Sequence, residues 1–366
     1  MKIIITRIYH DKIFWITLGF TLFSLLLGLP RLSDLNWHTI FSLFALMICV
    51  QLLNSLQLLD KLSRLLVAFS SNSRQTIQFL VILSFISSML LTNDVAILTL
   101  IPLFISIAHE QRLKTAFPAT MIIVAANLGS AFTPFGNPQN LFLISNYHLR
   151  SGQFFRISFP FMIISLLLLI PLTWLIRAKV IKKISKESIT IKKIPLVMTG
   201  CLLLIVFLGI FNFISIQLVG VIAIISCFFI DKQVIKKIDY GLLLTILCFF
   251  VMVSDFSHST LINHLISQLT QTKSMVYITS LLLSQFISNV PATLLLAHFT
   301  NKIRALFWGV NVGSLGTLIA SLANLLALKQ LILFDQTSHI YQFIKIFTLV
   351  NVILLILLGI LGLIFI

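Results

Sequence analysis

The sequence predicts an all-α polytopic membrane protein with about nine transmembrane helices and two re-entrant helical hairpins in an inverted repeat. Three observations favour this fold class. Hydrophobic residues make up 58% of the chain and charged residues only 10%, whereas a soluble protein carries about 25% charged residues. Long apolar runs recur from end to end, at about the 20-residue length that a helix needs to cross a bilayer. A two-part polar motif also occurs once in each half of this apolar sequence.

The repeated motif has a long part and a short part. Residues 127–140 and 311–324 both read N-x-G-S-x-x-T-x-x-[small]-[N/S]-x-x-N. Upstream of each lies a short polar segment, Thr92-Asn93-Asp94 in the first half and Ser288-Asn289-Val290 in the second. The same two parts in the same order predict an internal duplication built around a shared site.

The order of apolar and polar segments predicts the elements. Full spans are expected near residues 13–29, 36–57, 154–177, 196–212, 215–230, 240–254 and 341–365. An amphipathic segment, 58–75, is expected at the inner interface. Polar tips within apolar arms predict hairpins at 76–109 and 274–300. Helices broken by Gly, Pro and polar residues are predicted at 116–147 and 304–334. The first repeat is then 1–177, a basic cytoplasmic linker is 178–195, and the second repeat is 196–366.

The net charge of +16 does not indicate nucleic-acid binding, because the basic residues lie between spans as the positive-inside rule expects. The inner group includes Lys2, Arg7, Lys12, Lys182, Lys183, Lys186, Lys232, Lys236 and Lys237. This topology puts the N-terminus in the cytoplasm of a multi-pass protein of the plasma membrane, expected to be bacterial. Anionic membrane lipid is the expected partner. The two hairpins then enter the membrane from opposite faces, as an inverted repeat requires.

The polar residues of the motifs match the needs of a buried anion and a hard cation. Helix N-termini favour anions, while carbonyl, amide and hydroxyl oxygens suit sodium. The expected substrate-binding residues are Thr92, Asn93, Thr133, Pro134, Gly136, Asn137, Asn140, Ser288, Asn289, Gly316, Thr317, Ser321 and Asn324. A sodium ion, the one cofactor expected, has candidate ligands in Asn93, Asp94, Asn137, Asn289 and Ser321. The alternative is that these side chains only bond neighbouring helices.

Asp94 is the carboxylate expected at membrane depth, where acidic residues are costly and usually functional. We expect it to bind the coupling ion with Asn93 and Asn289; the alternative is that it caps its own helix. Val290 occupies the equivalent position in the second tip, so the halves differ here. Asp255 stands at the end of a span and is expected at the interface. The four cysteines lie apart in apolar runs and predict no metal or redox site.

These motifs resemble the ion-transporter superfamily, most closely its bacterial anion-permease branch. That group includes arsenite-efflux and NhaD-type permeases, citrate–metal symporters and divalent-anion:sodium symporters. The resemblance rests on runs 92–96, 129–140, 288–291 and 313–324, and it covers about residues 40 to 360. It implies a scaffold and a transport domain, with substrate and cation sites at the hairpin tips and the two unwound segments. The tip triplets read Ser-Asn-Thr in dicarboxylate symporters, but Thr-Asn-Asp and Ser-Asn-Val here.

The sequence therefore predicts a secondary active transporter that moves a small anion, a carboxylate or an inorganic oxyanion, by alternating access. Sodium or protons would drive it, since the chain has no nucleotide-binding loop. Two alternatives stay open: a sodium/proton antiporter, and an arsenite or antimonite efflux permease. An enzyme is not expected, because the chain has no HExxH motif and no paired catalytic aspartates. A homodimer and a separate auxiliary subunit are left open.

Overall fold

A computed structural model describes residues 8–9, 11–25, 35–181, 191–334 and 337–366. Within these ranges the chain forms 17 α-helices and one 3₁₀ helix, and the β-structure is a single isolated bridge between Asn72 and Val180. The prediction of an all-α polytopic fold is confirmed. The end of the first expected span, 26–29, and most of the basic linker, 182–190, lie outside the described residues.

The first half contains the first hairpin and the first broken helix. Its helices are α1 (Lys12–Ser24), α2 (Trp37–Ser55), α3 (Leu58–Ala68), α4 (Ser73–Leu91), α5 (Asn93–Glu110), α6 (Ala116–Ser130), α7 (Pro138–Tyr147) and α8 (Ser151–Thr173). Helices α4 and α5 are the two arms that meet at Thr92, and α4 packs against α6. The expected helix over 116–147 is interrupted between Ser130 and Pro138.

The second half repeats this order with one helix more. It has α9 (Lys193–Ile210), α10 (Ile216–Ile230), the 3₁₀ helix Lys232–Lys237, α11 (Tyr240–His258), α12 (Thr260–Leu269), α13 (Lys273–Ile287), α14 (Asn289–Ala297), α15 (Ile303–Val312), α16 (Leu322–Phe334) and α17 (Thr337–Phe365). Helices α13 and α14 meet at Ser288, and α13 packs against α15 as α4 packs against α6. The sequence did not predict α12.

Six helices of the described chain are long and apolar enough to cross a membrane: α2, α4, α5, α8, α9 and α17. Two of these, α4 and α5, are the arms of the first hairpin. The broken helices are each divided into two apolar pieces, and neither piece alone reaches the length of a span. The amphipathic segment is shorter than expected: α3 ends at Ala68, with Leu59 and Val67 buried.

The bases of the two hairpins lie at opposite ends of α8. At the end that follows α8, the Ser73 hydroxyl donates to the Arg177 carbonyl at 2.9 Å, which fixes the base of the first hairpin. Just before the start of α8, the Tyr147 hydroxyl lies within hydrogen-bonding distance of the carbonyls of Ala297 (3.0 Å) and Thr300 (2.6 Å), at the base of the second. Helix α8 has 23 residues and is about 34 Å long. The hairpins therefore approach the centre from opposite faces.

Candidate functional site

The two hairpin tips have the same unusual backbone conformation. Thr92 has φ 75° and ψ 150°, and Ser288 has φ 74° and ψ 154°. Residues other than glycine rarely adopt this region of φ and ψ. The strained conformation costs about 1–3 kcal/mol per residue, and such strain occurs most often at functional sites. In both tips the next residue is the asparagine that begins the second arm, so the conformation reverses the chain and starts a new helix at once.

Each tip is held against the break in its neighbouring helix by one equivalent hydrogen bond. The Asn93 N–H donates to the Gly136 carbonyl at 3.0 Å, and the Asn289 N–H donates to the Ala320 carbonyl at 3.0 Å. Gly136 and Ala320 occupy the same position in the repeated motif. The backbone around Ser130 leaves no room for a side chain at Gly136. The tip and the unwound segment therefore form one unit in each half.

Asparagine side chains join the two halves across the centre. The Asn127 amide donates to Asn324 Oδ1 at 2.7 Å, and the Asn311 amide donates to Asn140 Oδ1 at 3.1 Å. These are matching positions: the first asparagine of each motif binds the last asparagine of the other copy. All four side chains are buried. The duplicated sequence therefore produces a crossed pair of contacts about a local two-fold axis.

The remaining polar side chains extend this network. Asn137 donates to Asn311 Oδ1 at 3.3 Å, and Ser321, its equivalent, donates to Asn127 Oδ1 at 3.2 Å. Asn93 also donates to Asn127 Oδ1, at 3.2 Å. One tip, both unwound segments and both helices that precede them are thus connected through side chains.

The network also satisfies the backbone of the unwound segments. Asn140 donates to the carbonyls of Ala131 (3.0 Å) and Thr133 (3.2 Å). Asn324 donates to the carbonyls of Ser314 (3.2 Å) and Thr317 (3.3 Å). Since no backbone polar group can stay unpaired in hydrocarbon, these two asparagines make a break in the middle of the membrane stable.

Helix ends of both signs meet at this centre. Helices α5, α7, α14 and α16 begin at the tips and breaks, while α4, α6, α13 and α15 end there. Helix starts carry partial positive charge and helix ends partial negative charge. Segments 88–96, 127–140, 284–292 and 311–324 contain one charged residue, Asp94, and no Lys or Arg. The arrangement can hold an oxyanion against N–H groups and a cation against carbonyls.

The two threonines of the motif have different surroundings. Thr133 is buried and its hydroxyl donates to the Met89 carbonyl. Thr317 is exposed; its hydroxyl donates to the Gln285 carbonyl at 3.0 Å. The Gln285 side chain accepts from the Thr317 N–H at 3.0 Å and donates to the Gly313 carbonyl at 2.9 Å. In the first half, Pro134 stands buried in the unwound segment.

Asp94 and Val290 occupy equivalent places in the two tips. Asp94 lies in the first turn of α5 and is half-buried, and its backbone N–H donates to Asn93 Oδ1 at 3.1 Å. Val290 is buried and lines a cavity of about 290 Å³ between the second tip, α1 and α11. Ser288, Pro291, Thr17 and Thr245 also line this largely apolar cavity. One tip thus brings a carboxylate and the other an apolar surface.

The predicted site residues therefore meet at one centre, apart from Thr317 and Gly316, which lie at its edge beside Gln285. Gly316 has φ 97°, and the Gln285 side chain occupies the space that a Cβ would need. Two central residues, Asn127 and Asn311, were missing from the predicted set, and so was Gln285 at the edge of the centre. The two asparagines are the first residues of the two copies of the repeated motif, so the repeat could have identified them as site residues. Gln285 has no counterpart in the first half and left no signal.

A family profile described as "Citrate transporter" matches residues 3–304. The chain belongs to this citrate-transporter family. The match includes both tips and the first unwound segment, and it agrees with the resemblance to anion permeases.

Three relatives are similar to this chain over different shares of its length. An uncharacterised transporter of Methanocaldococcus jannaschii is 36% identical over 80% of this chain and 81% of its own length. The inner membrane protein YbiR of Escherichia coli is 30% identical over 81% of this chain and 80% of its own length. A candidate transporter named arsB, from Dictyostelium discoideum, is 32% identical over 34% of this chain and 22% of its own length. The protein is a multi-pass membrane transporter.

Proposed function

We propose that the protein is a secondary active transporter that carries a small anion, a carboxylate or an inorganic oxyanion, by alternating access. A sodium or proton gradient drives it, and Asp94 binds the coupling ion. The substrate contacts the two tips and the two unwound segments, and no catalytic step is involved. The protein acts in the plasma membrane with its N-terminus in the cytoplasm.

One observation carries this proposal: four helix starts and four helix ends meet at a centre whose polar groups come from both halves. Two hairpins reach that centre from opposite faces. A small displacement of the tips can therefore open the centre to one side and close it to the other.

A second candidate is efflux of a small neutral hydroxide such as arsenite. Two observations favour it: the centre has a carboxylate and no Lys or Arg, and one partial relative is a candidate arsB transporter. A sodium/proton antiporter is the third candidate, and it depends on Asp94 alone.

The test is the thermal stability of the purified protein with citrate, succinate, sulfate, phosphate or arsenite, each with and without sodium and at two pH values. A ligand that binds only the folded state raises the melting temperature. We expect one anion to stabilise the protein, and to do so more strongly with the coupling cation.

Each other outcome selects another candidate. Stabilisation by arsenite alone would favour hydroxide efflux. Stabilisation by sodium alone, lost in Asp94→Asn and indifferent to every anion, would favour the antiporter and overturn the proposal.

A further inference from the structure

The apolar cavity at the second tip lies on the side of that tip that faces α1 and α11. Its volume of about 290 Å³ is close to the lower end of the range for ligand pockets, roughly 300–1,000 Å³. Apart from the hydroxyl groups of Thr17, Thr245 and Ser288, its described lining side chains are apolar. A small anion would find no cationic partner here, so the cavity favours an apolar ligand.

The cavity is elongated along two parallel helices. Thr21 Oγ of α1 lies 3.3 Å from the Cys248 carbonyl of α11, and one turn further on Ser24 Oγ lies 2.5 Å from Asp255 Oδ2. These contacts keep α1 and α11 in parallel register. The cavity follows one face of α11 over residues 242–252, a distance of about 15 Å. This shape fits an extended hydrocarbon chain.

One side of the cavity opens at the outer surface of the protein. Phe20 of α1 is 63% exposed and Phe286 of α13 is 77% exposed, and both line the cavity. Thr245, on the opposite wall, is only 3% exposed. The cavity therefore leads from the apolar outer surface to buried side chains. In a membrane protein, the medium that touches this surface is the hydrocarbon of the bilayer.

The end at which α1 and α11 begin has the features of a membrane–water interface. Tyr9 and Trp15 are exposed there, and the Trp15 Nε1–H donates to the Tyr9 carbonyl at 3.0 Å. Tyrosine and tryptophan are enriched at the level of the lipid headgroups. Lys232, Lys236 and Lys237 are exposed in the 3₁₀ helix that precedes α11. A lipid headgroup at this end would therefore meet ammonium groups.

The acidic residues at the same end stabilise helix starts. Asp11, Asp231 and Asp239 each accept a hydrogen bond from a backbone N–H two or three residues further on, at 3.2, 2.9 and 3.0 Å. Their negative charge is thus placed against the positive ends of helices. The lysine ammonium groups, on flexible stems, can reach a phosphate.

We propose that this cavity binds one acyl chain of a membrane phospholipid, whose phosphate lies at Lys236 and Lys237. The chain enters between Phe20 and Phe286 and contacts Ser288 of the second tip. Such a lipid differs from those that surround the whole protein, because its chain lies among buried side chains and fills the space between the tip and α11. Binding of the lipid does not rest on the proposed transport function.

Photolabelling in membranes tests the acyl-chain site. The full-length protein is placed in vesicles of phosphatidylethanolamine and phosphatidylglycerol that contain a phosphatidylglycerol probe with a diazirine in the middle of one acyl chain. After irradiation, mass spectrometry maps the labelled residues. We expect label on Thr245, Phe249 and Met252, which line the cavity. We expect at least tenfold less on Phe250, which packs against Phe142 with ring centroids 5.5 Å apart.

The internal comparison makes the result decisive. Label that is confined to the exposed rim at Phe20 and Phe286 would mean that the cavity is closed to lipid or filled by a protein segment, and it would overturn the proposal. Equal label on Phe249 and Phe250 would also overturn it, because one face of α11 would then not be distinguished from the other.

A variant that fills the cavity gives a second test. Thr245→Phe places a ring in the space of the acyl chain, so label on Phe249 and Met252 should fall at least tenfold while label on the rim remains. Gly200→Phe on α9, where an added Cβ meets no atom within 4 Å, is the control and should leave the pattern unchanged. Undiminished label in a folded Thr245→Phe variant contradicts the proposal. If this variant does not fold, the wild-type pattern still decides.

A probe without phosphate tests the headgroup contact. A diacylglycerol with the same diazirine chain replaces the phospholipid probe in the same vesicles. We expect the wild-type cavity to prefer the phospholipid probe at least tenfold, and the double variant Lys236→Gln/Lys237→Gln to lower this preference at least fivefold. The double variant Lys192→Gln/Lys193→Gln, at the exposed start of α9, is the matched control. Equal label from the two probes in wild type overturns the phosphate contact.

Discussion

The two halves of the centre have the same frame but different contents. Both tips share one strained backbone conformation, and both are tied to their unwound segments by one amide-to-carbonyl bond. The halves differ at the residues that flank this frame. Asp94 in the first half and Val290 in the second occupy equivalent positions. The residues that satisfy backbone hydrogen bonds at the tips and breaks are duplicated. The side chains expected to select an ion or a solute, such as Asp94, are not.

This difference divides the expected roles. The first half brings a carboxylate and a proline-containing unwound segment. The second half brings an apolar cavity and an unwound segment held by Gln285. We therefore expect ion coupling to depend mainly on the first half, and solute binding to depend on both.

The largest effect is expected from the residues that the halves share. Asn93→Ala and Asn289→Ala each remove a buried amide at a tip, which costs about 1–3 kcal/mol, or roughly a 5- to 150-fold loss of transport. Solute uptake by proteoliposomes measures this, with membrane insertion checked by the yield of monodisperse protein. Wild-type uptake by both correctly inserted variants would refute the proposed site.

The next effect should appear in one half alone. Asp94→Asn keeps the size of the side chain but removes its charge, so we expect solute binding to remain and gradient-driven accumulation to fall about tenfold or more. Glu110→Gln, at the exposed end of the same helix, is the matched control. Uptake with and without an imposed sodium or proton gradient distinguishes them. Equal accumulation in both variants would remove Asp94 from coupling.

An exchange between the halves tests the role of Gln285. Gln285→Met places the first-half residue in the second half and removes three side-chain hydrogen bonds, at about 0.5–1.5 kcal/mol each. We expect a lower melting temperature and weaker solute binding. Met89→Gln makes the reverse exchange and should not weaken solute binding by the same amount. Equal effects of the two exchanges on solute binding would show that the Gln285 side chain makes no specific contribution to solute binding.

The smallest effect should be equal in the two halves. Thr92→Gly and Ser288→Gly relieve a backbone conformation that costs about 1–3 kcal/mol, although glycine also has more freedom when unfolded. We expect each variant to be more stable, by about 1 kcal/mol. Thermal unfolding in detergent measures this. A gain at one tip only would mean that the shared conformation is strained in only one half.

The tips and breaks that the two halves share could be predicted from the sequence, because their residues are unusual in the middle of a continuous membrane helix. Gly136, Asn137 and Pro138 in an apolar run predict a break, and the repeat predicts that the break occurs twice. The roles of Asn127 and Asn311 could not be predicted, because each acts through contacts with the other half of the chain. Such contacts depend on how the halves pack and not on local pattern.

The unrepeated features were the hardest to predict. Gln285 has no counterpart that would mark it, and α12 is a short helix between two apolar segments. Asp255, expected at the interface from its position along the span, is buried against Ser24 of α1, and this burial depends on the packing of α1. Local pattern gives depth along a helix but not which neighbour covers each face.

The central claim is that solute and coupling cation share one centre, so the most direct measurement is gradient-driven uptake by proteoliposomes that contain only the purified protein. With citrate, succinate, sulfate, phosphate and arsenite as solutes, we predict that one anion accumulates inside when a sodium or proton gradient is imposed. An ionophore that collapses the gradient should abolish this accumulation. Uptake no greater than in protein-free vesicles for all five solutes, or accumulation that the ionophore leaves unchanged, would contradict the account.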